Sequence, residues 1–135
     1  MLRPTLRLFL RSVALRLLRV RTTYSAATVE VLRDERVIVC SNHVSLLDGV
    51  IVALASPVPL TFGVDTDFSR RSKVASRGMA VLSWLGFGTV VPVDGSSPFG
   101  IRSLSKALDR GESVMLFPEG QISETGRPCA EQPGV

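Results

Sequence analysis

Histidine occurs once in this chain, and cysteine twice. One histidine with two distant cysteines, Cys40 and Cys129, cannot supply the ligands of a zinc centre. The cysteines form no Cys-x-x-Cys pair, so redox chemistry of that type is excluded and a reduced compartment is the simplest setting. Neither a metal nor a cofactor is expected. Aromatic residues make up only 6% of the sequence. The aromatic-interleaved basic clusters of single-strand binders are missing, and nucleic acid is not expected as a partner. The basic amphipathic stretch of residues 2–21 is interrupted by six arginines, so it cannot span a bilayer. It also lacks the unbroken apolar centre and small-residue cleavage site of a secretory signal. No internal repeat or low-complexity tract is visible.

What is present suits one domain around an aliphatic core: 135 residues, 45% of them hydrophobic. The net charge is +4 and nearly all the basic residues are arginine, which fits an anionic partner such as lipid headgroups or an acidic carrier protein. Arg3, Arg7 and Arg11 fall four apart on one face of a helix over residues 2–21, with Leu2, Leu6, Phe9, Val13, Leu17 and Val20 on the opposite face. An interfacial helix, with Leu and Phe in the acyl boundary and Arg on phosphates, accounts for this pattern best. A surface helix packed on its own domain and an Arg-rich transit peptide are the other readings.

Further along, Thr28–Leu32 alternates apolar and polar residues and predicts a half-exposed strand. Arg36–Cys40 is β-branched and predicts a buried strand, which would bury Cys40. A helix is expected over Leu46–Ala55, ended by Pro57 and Pro59, then a strand over Leu60–Val64 and a polar loop over Asp65–Ser69. The helix from about Arg70 to Leu85 is expected to turn Val74, Val81, Leu82 and Leu85 to the core. Arg70, Lys73 and Arg77 share another face, either as a dock for an acidic carrier or coenzyme A phosphates or simply as a solvated surface. Gly86 should end that helix. Strand Phe87–Asp94 follows, then a helix from Pro98 to about Asp109 with Ile101, Leu104 and Leu108 as its apolar stripe. Ser113–Phe117 is a last buried strand. The fold class predicted is α/β: a mixed sheet flanked by helices, with an N-terminal amphipathic helix. The organisation predicted is an interfacial helix over 1–23, an α/β unit over 24–126 and an irregular tail over 127–135.

The stretch Ser41-Asn42-His43-Val44-Ser45-Leu46-Leu47-Asp48-Gly49 places the sole histidine at a strand tip, in a turn that opens a helix. Binding sites collect there in open α/β sheets. Asp48, five residues on, can fold back to the imidazole. A carboxylate on one ring nitrogen fixes the tautomer and makes the other nitrogen a better base, which suits proton abstraction from an alcohol. A capping histidine beside a capping aspartate is the plain alternative. Ser41 and Ser45 are too close in sequence to His43 for triad geometry, so no serine nucleophile is assigned.

The strand Ser113–Phe117 runs into Pro118-Glu119-Gly120, about 70 residues beyond His43. The ordered pair Asn-His-x4-Asp and Phe-Pro-Glu-Gly resembles the glycerolipid acyltransferase family. More narrowly, Asn42–Gly49 and Phe117–Gly126 resemble the acyltransferase half of bacterial 2-acylglycerophosphoethanolamine acyltransferase/acyl-carrier-protein synthetases. The resemblance implies O-acyl transfer in phospholipid synthesis or remodelling, of the 1-acylglycerol-phosphate or lysophospholipid acyltransferase type. The donor would be an acyl thioester on acyl carrier protein or coenzyme A; the acceptor would be a lysophospholipid or glycerol phosphate. It makes His43 and Asp48 catalytic, and Phe117, Pro118, Glu119 and Gly120 the acceptor site, with Glu119 holding acceptor hydroxyls or a neighbouring arginine. It also implies peripheral attachment to the cytoplasmic face of a bacterial inner membrane.

Two family arginines that contact phosphate have no counterpart at Gly95 or at Gln121-Ile122-Ser123. Arg102 and Arg127 are the candidates to replace them. Without those arginines lysophosphatidylethanolamine is the expected acceptor. The family domain carries further strands after Phe-Pro-Glu-Gly, so the chain is expected to be truncated. A catalytically inactive membrane-associated fragment is the competing reading, and a thioester-release assay with lysolipid separates the two.

Overall fold

A computed structural model describes residues 4–65, 73–93 and 98–131. Its elements run α1 (Pro4–Leu17), α2 (Ala26–Asp34), β1 (Ile38–Cys40), α3 (Asp48–Ala55), β2 (Leu60–Asp65), α4 (Lys73–Trp84), β3 (Gly88–Val93), α5 (Pro98–Asp109) and β4 (Val114–Leu116). The α/β class and the N-terminal helix are as expected. The four strands are ordered β1-β4-β2-β3, and every pairing among them is parallel, where a mixed sheet was expected. Parallel pairing follows from the connections: each strand reaches the next through a helix that returns the chain to the same end. Residues 66–69 of the expected polar loop, Arg70, the Gly95 turn, and Leu2 and Arg3 lie outside the described residues.

The pleat sends alternate strand residues to opposite faces. Phe62 and Met115, almost wholly buried, join Leu60, Ala53, Leu54, Leu82 and Phe87 under α1, α3 and α4. Val114 and Leu116 turn the other way, onto Leu104, Ala107 and Leu108 of α5. Burying a side chain of this size is worth about 1.5–3 kcal/mol, so these two apolar layers fix the sheet between its helices. At the end of α4 the Gly86 N–H donates to Ser83 O and the Phe87 N–H to Leu82 O. Gly86 takes φ +82° to do so, the left-handed turn that glycine makes without strain.

Four local expectations need correction. Residues 28–32 are helical, inside α2, not a strand. Ser25 caps that helix by accepting the Thr28 N–H, and Val29 and Leu32, three apart, are its half-buried side while Val31 is exposed. The two-residue alternation there is incidental to a helical face. Next, β1 is an edge strand, bonded to β4 alone among the described strands. Ile38 and Cys40 are exposed, because they share the sheet face on which α5 packs over β2, β3 and β4. On α4, Leu82 faces inward as expected, as does Leu85 just past the helix, but Val74 and Val81 point outward and Met79 takes an inward place. On α5, Ile101 is exposed and Ala107 takes the core position.

Helix α1 is amphipathic, yet two of its arginines face the protein. Arg11 donates to Ala55 O at the C-terminus of α3. Arg7 donates to Gly86 O just past the C-terminus of α4, at 3.2 Å, with its guanidinium 6.0 Å from the Phe87 ring centre. Cations at helix C-termini meet unpaired carbonyls and the negative end of the dipole. With Ala14 and Leu15 packed on the core, α1 is fastened by its basic side, and Leu6, Phe9, Val13 and Leu17 are left exposed. Among the described residues no helix is long and apolar enough to cross a membrane.

Candidate active site

The neighbouring positions of β1 and β4 bring the two motifs together. His43 lies three residues past β1 and Phe117 one residue past β4, and the ladder is extended by the Ser41 N–H donating to Leu116 O at 3.3 Å. Both motifs therefore emerge at the C-terminal edge of the same two strands.

Asp48 does fold back. Its Oδ2 lies 3.1 Å from His43 Nδ1 and accepts the N–H groups of Val44 at 2.7 Å and Ser45 at 2.8 Å. One carboxylate oxygen thus shapes the turn and holds the imidazole. Bonding at Nδ1 makes Nε2 the nitrogen for proton exchange with a substrate. The imidazole stacks on Phe117, with ring centres 4.2 Å apart and planes 19° from parallel. His43 is 9% exposed.

Glu119 is 4% exposed and lies behind the histidine. Its Oε1 accepts the His43 N–H at 3.1 Å, and its Oε2 accepts the Cys129 N–H at 2.8 Å. The Cys129 N–H first, and the His43 N–H after it, hold the Glu119 carboxyl below the ordinary glutamate range, although burial pushes it up. The Ser123 N–H donates to His43 O at 2.7 Å. Glu119 and Ser123 therefore grip the backbone of the histidine turn, and Phe117 supports its ring.

An apolar cavity of about 590 Å³ begins at His43 and runs between α3, α4 and the sheet. Val50, Phe62, Met79 and Val90 are among its walls, with Phe117 and Gly120 near the histidine. Pro118 and Glu119 are not in its walls. Gln121 and Ile122 are, at positions where the family resemblance implies an arginine. Arg102 sits on α5, across the sheet from the cavity, and Arg127 lies exposed on the 120–131 loop. Among the described residues no group of three His, Cys, Asp or Glu side chains is placed to hold a metal ion.

The chain matches the family model described as Acyltransferase over residues 20–135. It belongs to the acyltransferase family. No solved structure matches it. Membership makes it a transferase that takes an acyl donor and an acyl acceptor. Sequence reasoning missed two contributors to this acyltransferase's site. One is Cys129, whose backbone anchors Glu119 and carries no side-chain signature. The other is the α4 flank from Ser76 to Trp84, which lines the cavity; its small residues Ser76, Ala80 and Ser83, at helical spacing, were the readable signal.

Proposed function

We propose that this acyltransferase moves a fatty acyl chain from an acyl thioester, on acyl carrier protein or coenzyme A, to a hydroxyl of a lysophospholipid or glycerol phosphate. The observation that carries the reading is the His43–Asp48 pair at the end of an apolar cavity. A fatty chain needs such a cavity, and a hydroxyl nucleophile needs such a base. The acceptor hydroxyl gives its proton to His43 Nε2 as its oxygen attacks the thioester carbonyl. Asp48 stabilises the imidazolium that forms. When the tetrahedral adduct collapses, the C–S bond breaks and the thiolate takes the proton back from His43. The products are an ester and a free thiol, and no covalent acyl-enzyme is required.

The acceptor we favour is lysophosphatidylethanolamine. Gln121 and Ile122 present no cation to a phosphomonoester, whereas a phosphodiester headgroup carries less charge to neutralise. A peripheral location on the cytoplasmic face of a bacterial inner membrane suits a lipid acceptor, and the outward stripe Leu6, Phe9, Val13 and Leu17 supplies apolar contact. The test is thiol release from acyl carrier protein and coenzyme A donors with a panel of acceptors. Lysophosphatidylethanolamine should outperform lysophosphatidate and glycerol 3-phosphate. Strong preference for glycerol 3-phosphate would overturn the acceptor assignment, and no release with any pair would sink the reading itself.

A further inference from the structure

The outer face of α4 is apolar and basic at once. Val74, Val81 and Trp84 are 78%, 55% and 81% exposed. With Arg77 they are spaced by three, four and three residues, which makes one stripe along a helix. It lies opposite the side that carries Met79 and Leu82 into the core. Lys73 and Arg77 are exposed on the same side, and α4 contains no acidic residue. Trp84 has a second role, for it also lines the cavity that begins at His43. A residue that is both cavity wall and four-fifths exposed marks a place where the cavity reaches the surface. From Ser76 to Trp84 that wall follows α4 for about 12 Å, at 1.5 Å per residue.

We propose that this face of α4 rests on an anionic lipid surface and that the cavity opens there into the lipid, so that the tail of a long acyl chain runs out beside Trp84. The charge pattern favours lipid over a protein partner: two cations and no anion flank an apolar stripe, as in a helix lying on acidic headgroups. An indole at the rim of such a patch suits the membrane interface, apolar body in and N–H towards water. This contact is separate from the α1 stripe, which lies on another helix. The part about the acyl tail rests on the acyl-transfer reading above; the lipid contact does not.

Trp84 is the only tryptophan, so intrinsic fluorescence of the full chain reports on this one position. Vesicles of phosphatidylglycerol and phosphatidylcholine should shift its emission to the blue and protect it from iodide. Lipids brominated in their acyl chains should quench it. The double variant Val74→Ser/Val81→Ser, which removes four methyl groups from the stripe, should bind vesicles at least about tenfold more weakly. That variant should keep its thiol release from a short, water-soluble acyl thioester. Co-sedimentation with vesicles while Trp84 keeps a water-like emission and full iodide access would mean attachment through α1 alone, and would overturn the proposal. Absence of vesicle binding would overturn it too. Quenched Trp84 with no thiol release from any donor would support the lipid face while sinking the acyl-transfer reading.

Discussion

On the α5 face of the sheet, Gly100 lies so close to β3 that a Cβ there would stand 2.7 Å from Val93 Cα. On the opposite face, a Cβ on Gly49 would meet only the Met79 side chain, its sulfur at 3.5 Å. Where α5 covers β2, β3 and β4 the packing is tight, whereas the other face keeps a cavity of about 590 Å³. Interiors normally fill to crystal-like density, and unfilled apolar space is a stability loss. The hollow face is also the one that opens at His43. The contrast teaches where open space is kept: α5 lies close on the sheet, while the side of α3 and α4, which also carries the larger core, leaves room beside His43 for a ligand.

The largest effects should come from the hollow face, and on activity. His43→Ala should abolish acyl transfer and leave the fold largely intact, since the backbone bonds from Glu119 and Ser123 do not need the ring. Asp48→Asn should lower turnover on the order of 10⁴-fold, by analogy with the loss of the carboxylate in the serine-protease triad. Thiol release together with a thermal melt checks both. Turnover retained in His43→Ala would remove the general base from the mechanism.

The next effect belongs to the α5 face. Gly100→Ala forces a methyl group onto Val93 backbone and side chain, and overpacking of that kind costs about 1–3 kcal/mol. Urea unfolding should show a lower midpoint with an unchanged slope. An unaffected midpoint would mean that α5 can slide and that the two faces differ less than their geometry indicates.

The sequence made the hollow face legible in outline. Apolar runs bounded by Pro and Gly gave β2, β3 and β4 to within a residue or two, because buried strands in α/β sheets are near-continuous apolar segments. The His43–Asp48 pair was legible because five residues across a strand-to-helix turn leave the carboxylate little choice but to fold back. Orientation was less legible. Val74, Val81 and Ile101 are apolar at helical spacing, and pattern alone assigns them to the core along with Leu82; only packing shows that Leu82 is there but Met79 and Ala107 take the places of the others. The edge position of β1 depends on pairing partners distant in sequence. The hold of Glu119 on His43 and Cys129 is made with backbone N–H groups, which every residue except proline possesses, so no side-chain pattern announces it.

That hold sets a pH dependence. The folded-state carboxyl of Glu119 is lowered, so its stabilising contribution is fully present above the unfolded glutamate value of about 4.3. It is lost as pH falls through the lower folded value. Unfolding free energy followed by urea titration should therefore fall on acidification through this range. Glu119→Gln should be less stable than the parent at neutral pH, and the gap should close in acid. Parallel curves for the two proteins would show that the carboxylate charge contributes nothing to holding the turn.

The smallest effect expected is also the sharpest test of the comparison, because it has the opposite sign. Gly49 is the second residue of α3, follows Asp48 directly and lines the cavity. A Cβ there meets Met79 Sδ at 3.5 Å and Cε at 4.0 Å, ordinary contacts with the end of a flexible side chain. Nothing opposes the gain from replacing a helical glycine by alanine, about 0.5–1 kcal/mol. Gly49→Ala should therefore raise the urea midpoint, while the same change at Gly100 lowers it. The added methyl group projects into the cavity beside the His43–Asp48 pair, so, on the proposed function, kcat/KM for a long-chain donor should drop several-fold even as stability rises. If Gly49→Ala destabilises as much as Gly100→Ala, the two faces are packed alike and the space beside His43 is too small to seat an acyl chain.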